Sequence, residues 1–353
     1  MALLGVVLGL GFGAIEWLAH WPSRPSDEWV EVGWPEGLGA SDAAALLVDL
    51  GLSEQRTGLA AYLTASRASA CFRAGAHLLP RRASPRLLRQ LLCAEPDRPS
   101  ARLTIPEGFT RFAVAERLER LGICGRNAFV LVSAEPELLR TLGVEPASWL
   151  PASTAEGYLF PATYSFPLDS EPQAVLRRLV EETDRRWRQL AAAHAQGYAQ
   201  LRDALQFGRR EVLTLASMVE KEAAVADERP IIASVFLNRL QAPTFLPRYL
   251  QSDPTATYGC YALPAAIPAC RDFSGHPSPA INDDPENRYS TYVNTGLPPG
   301  PVANPGAAAV EAVLSSATTP YFYFVAAGGG RHAFSVDLAQ HQQAVERLRR
   351  GLK

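Results

Sequence analysis

Apolar residues run almost unbroken from Met1 to Leu18, with Glu16 the interruption and Trp17 and Trp21 at the far end. The unbroken stretch is about 15 residues, short of the ~20 a spanning helix prefers, and no Lys or Arg precedes it. The two Trp suit an interfacial belt, so residues 1–20 are expected to form a membrane anchor. A cleaved signal and a buried helix are the alternatives. Residues 21–27, with Pro22 and Pro25, read as a linker.

A strand-turn-helix pattern then occurs twice. Pro35-Glu36-Gly37 recurs as Pro106-Glu107-Gly108, and Leu50-Gly51-Leu52 recurs as Leu121-Gly122-Ile123, both 71 residues apart. Each copy reads as a short strand, a turn, then a helix with Ser41-Asp42 or Thr110 near its start. Phe112, Ala115, Leu118 and Leu121 repeat at helical spacing. Chance similarity of two such units is the competing explanation. Between them, residues 72–79 suggest a strand and Pro85 to Leu92 a helix. This predicts a small α+β module over residues 28–100.

Residues 171–206 read as an exposed helical stretch. Arg210 to Val225 is apolar almost all round, the pattern of a buried helix. A third helix is expected from Arg229 to Leu240, with Asp227 as cap and Pro230 in the first turn. A long loop region follows to about Asn304, then a helix near Ala307–Leu314. The aromatic strand Tyr321 to Val325, the Gly328-Gly329-Gly330 turn and His332 to Val336 predict a hairpin. Leu338 to Leu352 forms a last amphipathic helix. The expected fold class is therefore α+β, an anchor and a small module preceding a mixed α/β domain over residues 101–350.

At 353 residues the chain can hold two or three domains. Its net charge of −2 lacks the basic excess that nucleic-acid binding needs, so no nucleic-acid partner is expected. Of the five cysteines, none is paired at CxxC spacing, which argues against zinc or thioredoxin-like chemistry. Cys260 and Cys270 bracket a loop-like stretch and are candidates for a bridge in an oxidising compartment, with two free thiols as the alternative. The pairing of Cys71, Cys93 and Cys124 stays open, and the odd total leaves at least one free.

The sharpest chemical feature is Glu220-Lys221-Glu222 on the buried-looking helix. Leu213, Ala216 and Glu220 share one stripe; Leu215, Met218 and Glu222 share another. Periodicity does not choose between the acids. A carboxyl group against apolar surface holds its proton more tightly, as a general acid near neutral pH requires. Leu250 to Thr255 carries amide and carboxylate groups on a turn. Tyr289-Ser290-Thr291-Tyr292 alternates rings and hydroxyls suited to sugar faces. The run from Gly296 to Pro301 suits a stiff cleft wall or a mere turn. Glu156 lies among aromatic residues. There is no GxSxG, HExxH, Walker A or dinucleotide fingerprint, and the six His lack metal-ligand spacing. No metal or cofactor is expected, and His332 reads as structural.

Taken in order, residues 216–223, 234–240, 250–255, 296–301, Asn304-Pro305-Gly306 and 321–325 resemble the YceG-like (MltG) family of endolytic murein transglycosylases. The similarity spans about residues 28–345, and the PEG repeat with residues 72–75 resembles that family's LysM-like module. The resemblance implies a single-pass inner-membrane protein whose catalytic body lies in the periplasm and cleaves nascent peptidoglycan strands. Peptidoglycan synthases are candidate partners. The family's catalytic glutamate maps onto Glu220, while Glu156, Asn238, Gln251, Asp253, Tyr289, Thr291 and Tyr292 map onto glycan-cleft positions. Ala162 and Ser290 depart from the family's usual Asp and Asn. A lytic transglycosylase needs one acid/base, because the sugar's own C6 hydroxyl attacks C1. The alternatives are a water-using muramidase with Asp253 as second acid and a non-catalytic peptidoglycan-binding protein.

Overall fold

The computed structural model describes residues 18–19, 28–96, 99–144 and 154–351. The expected anchor over residues 1–20 lies outside them apart from Leu18 and Ala19. Among the described residues no helix is long and apolar enough to cross a membrane. The chain divides into two compact units, and the α+β class holds, with three two-stranded sheets and many helices among the described residues.

The first unit comprises residues up to Thr104 with 118–124 and 163–171. Its order is β1 (Trp29–Trp34), α1 (Ala40–Asp49), α2 (Arg56–Ala65), β2 (Gly75–Pro80), α3 (Pro85–Cys93), β3 (Ser100–Thr104) and β4 (Thr163–Pro167). β1 runs antiparallel to β2, from Trp29 opposite Pro80 to Trp34 opposite Gly75, and β3 pairs antiparallel with β4. Alternation decides the faces of β1: Val32 and Trp34 are buried, Trp29 and Glu31 exposed. Trp34 packs with Leu47 of α1, Leu59 and Leu63 of α2 and Leu88 and Leu92 of α3. Each such leucine contributes about 1.5–3 kcal/mol by leaving water, and Trp34→Ala would cost about 3–5 kcal/mol. Ser84 caps α3 by accepting from the Leu87 N–H, with Pro85 in the first turn. A Cys71–Cys93 disulfide, left open by spacing, ties α3 to the segment before β2. Gly33 is required by close approach, since a Cβ there would sit 2.7 Å from the Ser165 carbonyl oxygen.

The internal repeat is structural. Gly37 and Gly108 both take a left-handed turn, with φ of 77° and 75°. After each helix the Leu52 N–H bonds the Leu47 carbonyl at 2.9 Å and the Ile123 N–H bonds the Leu118 carbonyl at 3.0 Å. Thr110 caps the second copy through the Ala113 N–H, whereas α1 is preceded by Gly39 without a side-chain cap.

The second unit comprises 105–117, 125–162 and the residues from Pro172 onward. It starts on the first turns of α4 (Arg111–Arg120), followed by α5 (Arg126–Val132) and α6 (Pro136–Thr141). The stretch expected to be merely exposed forms α7 (Pro172–Ala193) and α8 (Ala195–Leu205). α7 buries Val175, Leu176, Leu179 and Val180, a stripe hidden in sequence by the Arg and Glu around it. At the centre lies α9 (Arg209–Glu222), with every residue from Val212 to Val219 buried, as its all-round apolarity requires. α10 (Arg229–Gln241) follows. Asp227 does not cap it but pairs with Arg331 at 3.0 Å. The expected long loop contains α11 (Asp253–Ala262) and the short α12 (Pro279–Asn282); Pro254 and Pro279, which read as loop signals, sit in the first turns of these helices. α13 (Ala307–Leu314) packs on α9 and α10. The hairpin pairs β5 (Tyr323–Gly328) with β6 (Arg331–Ser335), and α14 (Leu338–Arg349) packs on it.

Candidate active site

α9 ends at Glu222, so its last side chain emerges where the helix gives way to Ala223. Opposite, Gln251 holds a left-handed φ of 52° immediately before Ser252 and the first turn of α11. Between these ends, β5 and α14 lies a cleft of about 530 Å³. Glu222, Gln251, Asp253 and Tyr292 line it together with Arg239 of α10 and His332 of β6. Tyr323 and His341 close it, their rings stacked 5.2 Å apart.

Glu222 is half-buried, and its Oε1 accepts from Ser252 Oγ at 2.6 Å. Desolvation raises its pKa, and Asp253 adds to this by repulsion. Ser252, His332 and Arg239 oppose the rise without cancelling it. Asp253 Oδ1 accepts from Tyr292 Oη and Asn282 Nδ2, each at 2.8 Å. The Tyr292 hydroxyl is held protonated first by burial, then by that bond. Arg239 bonds the Phe322 and Leu250 carbonyls at 2.6 Å and stacks on Phe245 and Tyr323; burial lowers its pKa to about 10. The site therefore combines a carboxyl group with a raised pKa, a hydrogen-bonded aspartate and aromatic faces. Among the described residues no group of three His, Cys, Asp or Glu is arranged to hold a metal ion.

The expected site residues separate into groups. Gln251, Asp253 and Tyr292 share the cleft. Thr291 is buried beneath it, accepting from the Ser252 N–H at 3.0 Å and meeting Thr255 Oγ1 at 2.9 Å. Tyr289 is buried edge-on to Tyr258. Asn238 donates to the Thr319 and Tyr321 carbonyls at 2.8 Å and borders a separate cavity. Glu156 is 1% exposed and is taken up by the Arg111 N–H and Asn304 Nδ2. Burial pushes it up to about 7 despite those bonds. Its oxygens are thus engaged within the protein interior. Glu220 is 6% exposed at its side chain, and its oxygens meet the Gly306 N–H at 3.0 Å and Arg229 at 3.4 Å. The cleft is lined by Glu222 and not by Glu220.

Arg239, Tyr323, His332 and His341 are absent from the expected set. Arg239 and Tyr323 lie in matched segments but look like ordinary helix and strand residues. His332 reads as structural until the hairpin folds against α10. The Pro-Gly run buttresses α9: Arg210 Nη2 donates to the Pro299 carbonyl at 2.8 Å, and the Val302 N–H to Ser217 Oγ at 2.9 Å. The Cys260–Cys270 disulfide forms and closes the far end of α11, while half-buried Cys124 stays a thiol pushed up to about 11 by burial.

Fold and site together define an α+β protein whose helical body carries a carboxyl-bearing cleft. A family model described as the YceG-like family matches residues 32–347, and the chain belongs to that family. It is 34% identical over 195 residues to the endolytic murein transglycosylase of Bacillus subtilis (strain 168), covering 54% of this chain and 47% of that one. It is 29% identical over 322 residues to the Streptococcus pneumoniae serotype 2 (strain D39 / NCTC 7466) protein of that name, covering 85% and 55%. The chain thus spans about half the length of these relatives. A solved yceG-like protein of Listeria monocytogenes superposes with a TM-score of 0.55 at 26% identity, over 90% of this chain and 99% of that one.

Proposed function

We propose that the chain is an endolytic lytic transglycosylase that cuts peptidoglycan strands between N-acetylmuramic acid and N-acetylglucosamine. The observation that carries this reading is Glu222 in the cleft, a carboxyl group with raised pKa beside Gln251, Asp253 and Tyr292. The names of the Bacillus and Streptococcus relatives support it. Glu222 takes the acid/base role that the resemblance gave to Glu220, whose oxygens are engaged by Gly306 and Arg229.

In this mechanism protonated Glu222 donates to the glycosidic oxygen as the bond from C1 to that oxygen breaks. The Glu222 carboxylate then takes the proton of the C6 hydroxyl while O6 bonds to C1. The acid is regenerated, no water is consumed, and the strand ends in 1,6-anhydromuramic acid. Holding nucleophile and electrophile in one sugar supplies the proximity. Gln251 and Tyr292 are read as glycan contacts, with the aromatic wall of Tyr323 and Phe324 facing the sugar ring.

The strand-helix-helix-strand order of β1, α1, α2 and β2 supports reading that part as a LysM-like glycan-binding module. Two disulfides support an oxidising location. We accordingly place the protein at the inner membrane, anchored by its apolar start, with the enzyme body in the periplasm and peptidoglycan synthases within reach. Asp253 in the same cleft favours a second reading, a water-using muramidase with Glu222 as acid. Purified chain on intact peptidoglycan separates them: lytic products end about 18 Da lighter than hydrolytic ones. Mainly reducing muramic ends would select the muramidase, and uncut strands would leave a binding protein.

A further inference from the structure

The separate cavity beside Asn238 has a volume of about 650 Å³ and lies between α8, α10 and the end of α13. That is within the ~300–1,000 Å³ of small-molecule sites. Its walls are tied together. Gly197 lets α8 touch the end of α13, since a Cβ there would collide with the Leu314 carbonyl oxygen. At one end His194 Nε2 meets Glu311 Oε1 at 3.1 Å. The segment after α13 is held across α10. The Ala317 N–H donates to the Pro230 carbonyl at 3.2 Å, Ser234 Oγ meets Thr319 Oγ1 at 2.8 Å, and the Asn238 amide is committed to the Thr319 and Tyr321 carbonyls.

The lining selects a chemistry. Among the described residues no Asp, Glu, Lys or Arg lines this cavity, and its His194 is taken by Glu311. A charged ligand would lose its hydration there without gaining a counter-ion. The polar lining is amide and hydroxyl instead. The side chains of Gln196, Gln200, Gln241, Ser316 and Thr318 make no hydrogen bond among the described residues, and all but Ser316 are exposed. α13 also ends here. The N–H and the hydroxyl of Ser315 both return to the Glu311 carbonyl, and the carbonyls of Val313 and Leu314 receive no donor among the described residues. Such helix-end oxygens call for hydrogen-bond donors. A sugar suits this lining, because its hydroxyls both donate and accept, as a glutamine amide does. An acetamido group adds a second match. Its N–H and C=O pair with an amide side chain, and its methyl finds an apolar base of Leu201, Leu237 and Val313.

We propose that this cavity is a second saccharide site, taking an uncharged N-acetylglucosamine unit of a glycan and leaving the cleft to the reaction. A muramic unit is excluded by its carboxylate, which would meet no cation in the lining. The site does not depend on which acid cuts.

The probe is chitotriose, the trimer of N-acetylglucosamine, added to the full chain carrying 13C-labelled Leu and Val methyl groups. The cavity signals are assigned as those missing from Leu237→Met and Val313→Ile. They should shift and saturate with a dissociation constant of about 1 mM or below. Gln200→Ala combined with Gln241→Ala should weaken this at least about tenfold at an unchanged melting temperature, since both side chains are exposed and unbonded. Maltotriose, which has the hydroxyls but no acetamido group, should bind the parent at least about tenfold more weakly. Glu222→Gln should bind chitotriose as the parent does, whether or not the parent cuts peptidoglycan. Cavity signals that stay unmoved well above that concentration would overturn the proposal. So would full affinity in the double variant, equal binding of maltotriose, or shifts lost in Glu222→Gln, which would put the sugar in the cleft.

Discussion

Ser252 Oγ donates to Glu222 Oε1 across 2.6 Å, joining the last residue of α9 to the residue that precedes α11. The Ser252 N–H is held in turn by Thr291 Oγ1, and the Gln251 N–H by the Thr291 carbonyl at 3.1 Å. Three segments far apart in the chain thereby hold one carboxyl group in place.

Glu222→Gln keeps the shape of that group and removes its proton chemistry. Cleavage should fall by about 10²–10⁴-fold with little change in melting temperature. Glu220→Gln should do the reverse, costing about 1–3 kcal/mol of stability by weakening the bonds to Gly306 and Arg229 while folded molecules still cut. Product release and thermal melts on both variants check this. Normal melting with lost activity in Glu220→Gln, and an active Glu222→Gln, would return the acid role to Glu220.

Glu156 links folding to pH. Its pKa rises from an ordinary 4.5 to about 7, chiefly through burial. Below 4.5 both folded and unfolded chains hold the proton; between 4.5 and 7 only the folded one does. Stability should therefore fall as pH rises through that window, by about 3 kcal/mol in total, and stay level above it. Denaturant titrations of the parent against Glu156→Gln isolate this part. A parent that gains stability relative to the variant over the window would reverse the sign.

The disulfides close loops with sequence separations of 22 and 10 residues. The chain-entropy account gives about 3 kcal/mol for each, the longer loop gaining slightly more. Cys260→Ser should also lower activity, since α11 carries Asp253 at one end and Cys260 near the other. Non-reducing peptide mapping should recover both pairs with Cys124 unmodified. Free Cys260 and Cys270 thiols would end this expectation.

Asn238 and Tyr292 carry the same expected role and should behave differently. Asn238→Ala leaves the Thr319 and Tyr321 carbonyls without their donor and should cost about 1–3 kcal/mol, with KM unchanged. Tyr292→Phe removes one of two donors to Asp253 and should slow cleavage about tenfold with a normal melt. Equal effects on KM would place both in the glycan cleft.

Signals carried within a few residues were legible in the sequence. The strand, turn and helix of each repeat, the buried α9 and the aromatic hairpin all follow from local periodicity, turn glycines and capping. Gln251, Asp253 and Tyr292, named through the family resemblance, line one cleft in the fold. Residues such as Glu156 and Tyr289 carried the same polar and aromatic character but are buried, since whether a side chain meets a cleft or a core depends on what folds over it.

The sequence by itself determined that two acids, Glu220 and Glu222, stand at the end of a buried helix, and only the tertiary structure gives them different surroundings. Glu220 and Glu222 differ by about 200° around the helix axis, and each continues an apolar stripe. Nothing local separates them. Gly306 and Arg229 arrive on one side and engage Glu220; Ser252, the β5–β6 hairpin and α14 arrive on the other and leave Glu222 facing a cleft. The same long-range packing brings Glu228 to His332, 104 residues away. A carboxyl group's proton affinity is set by the charges and the solvent around it, and those come from chain segments that meet only when the protein folds.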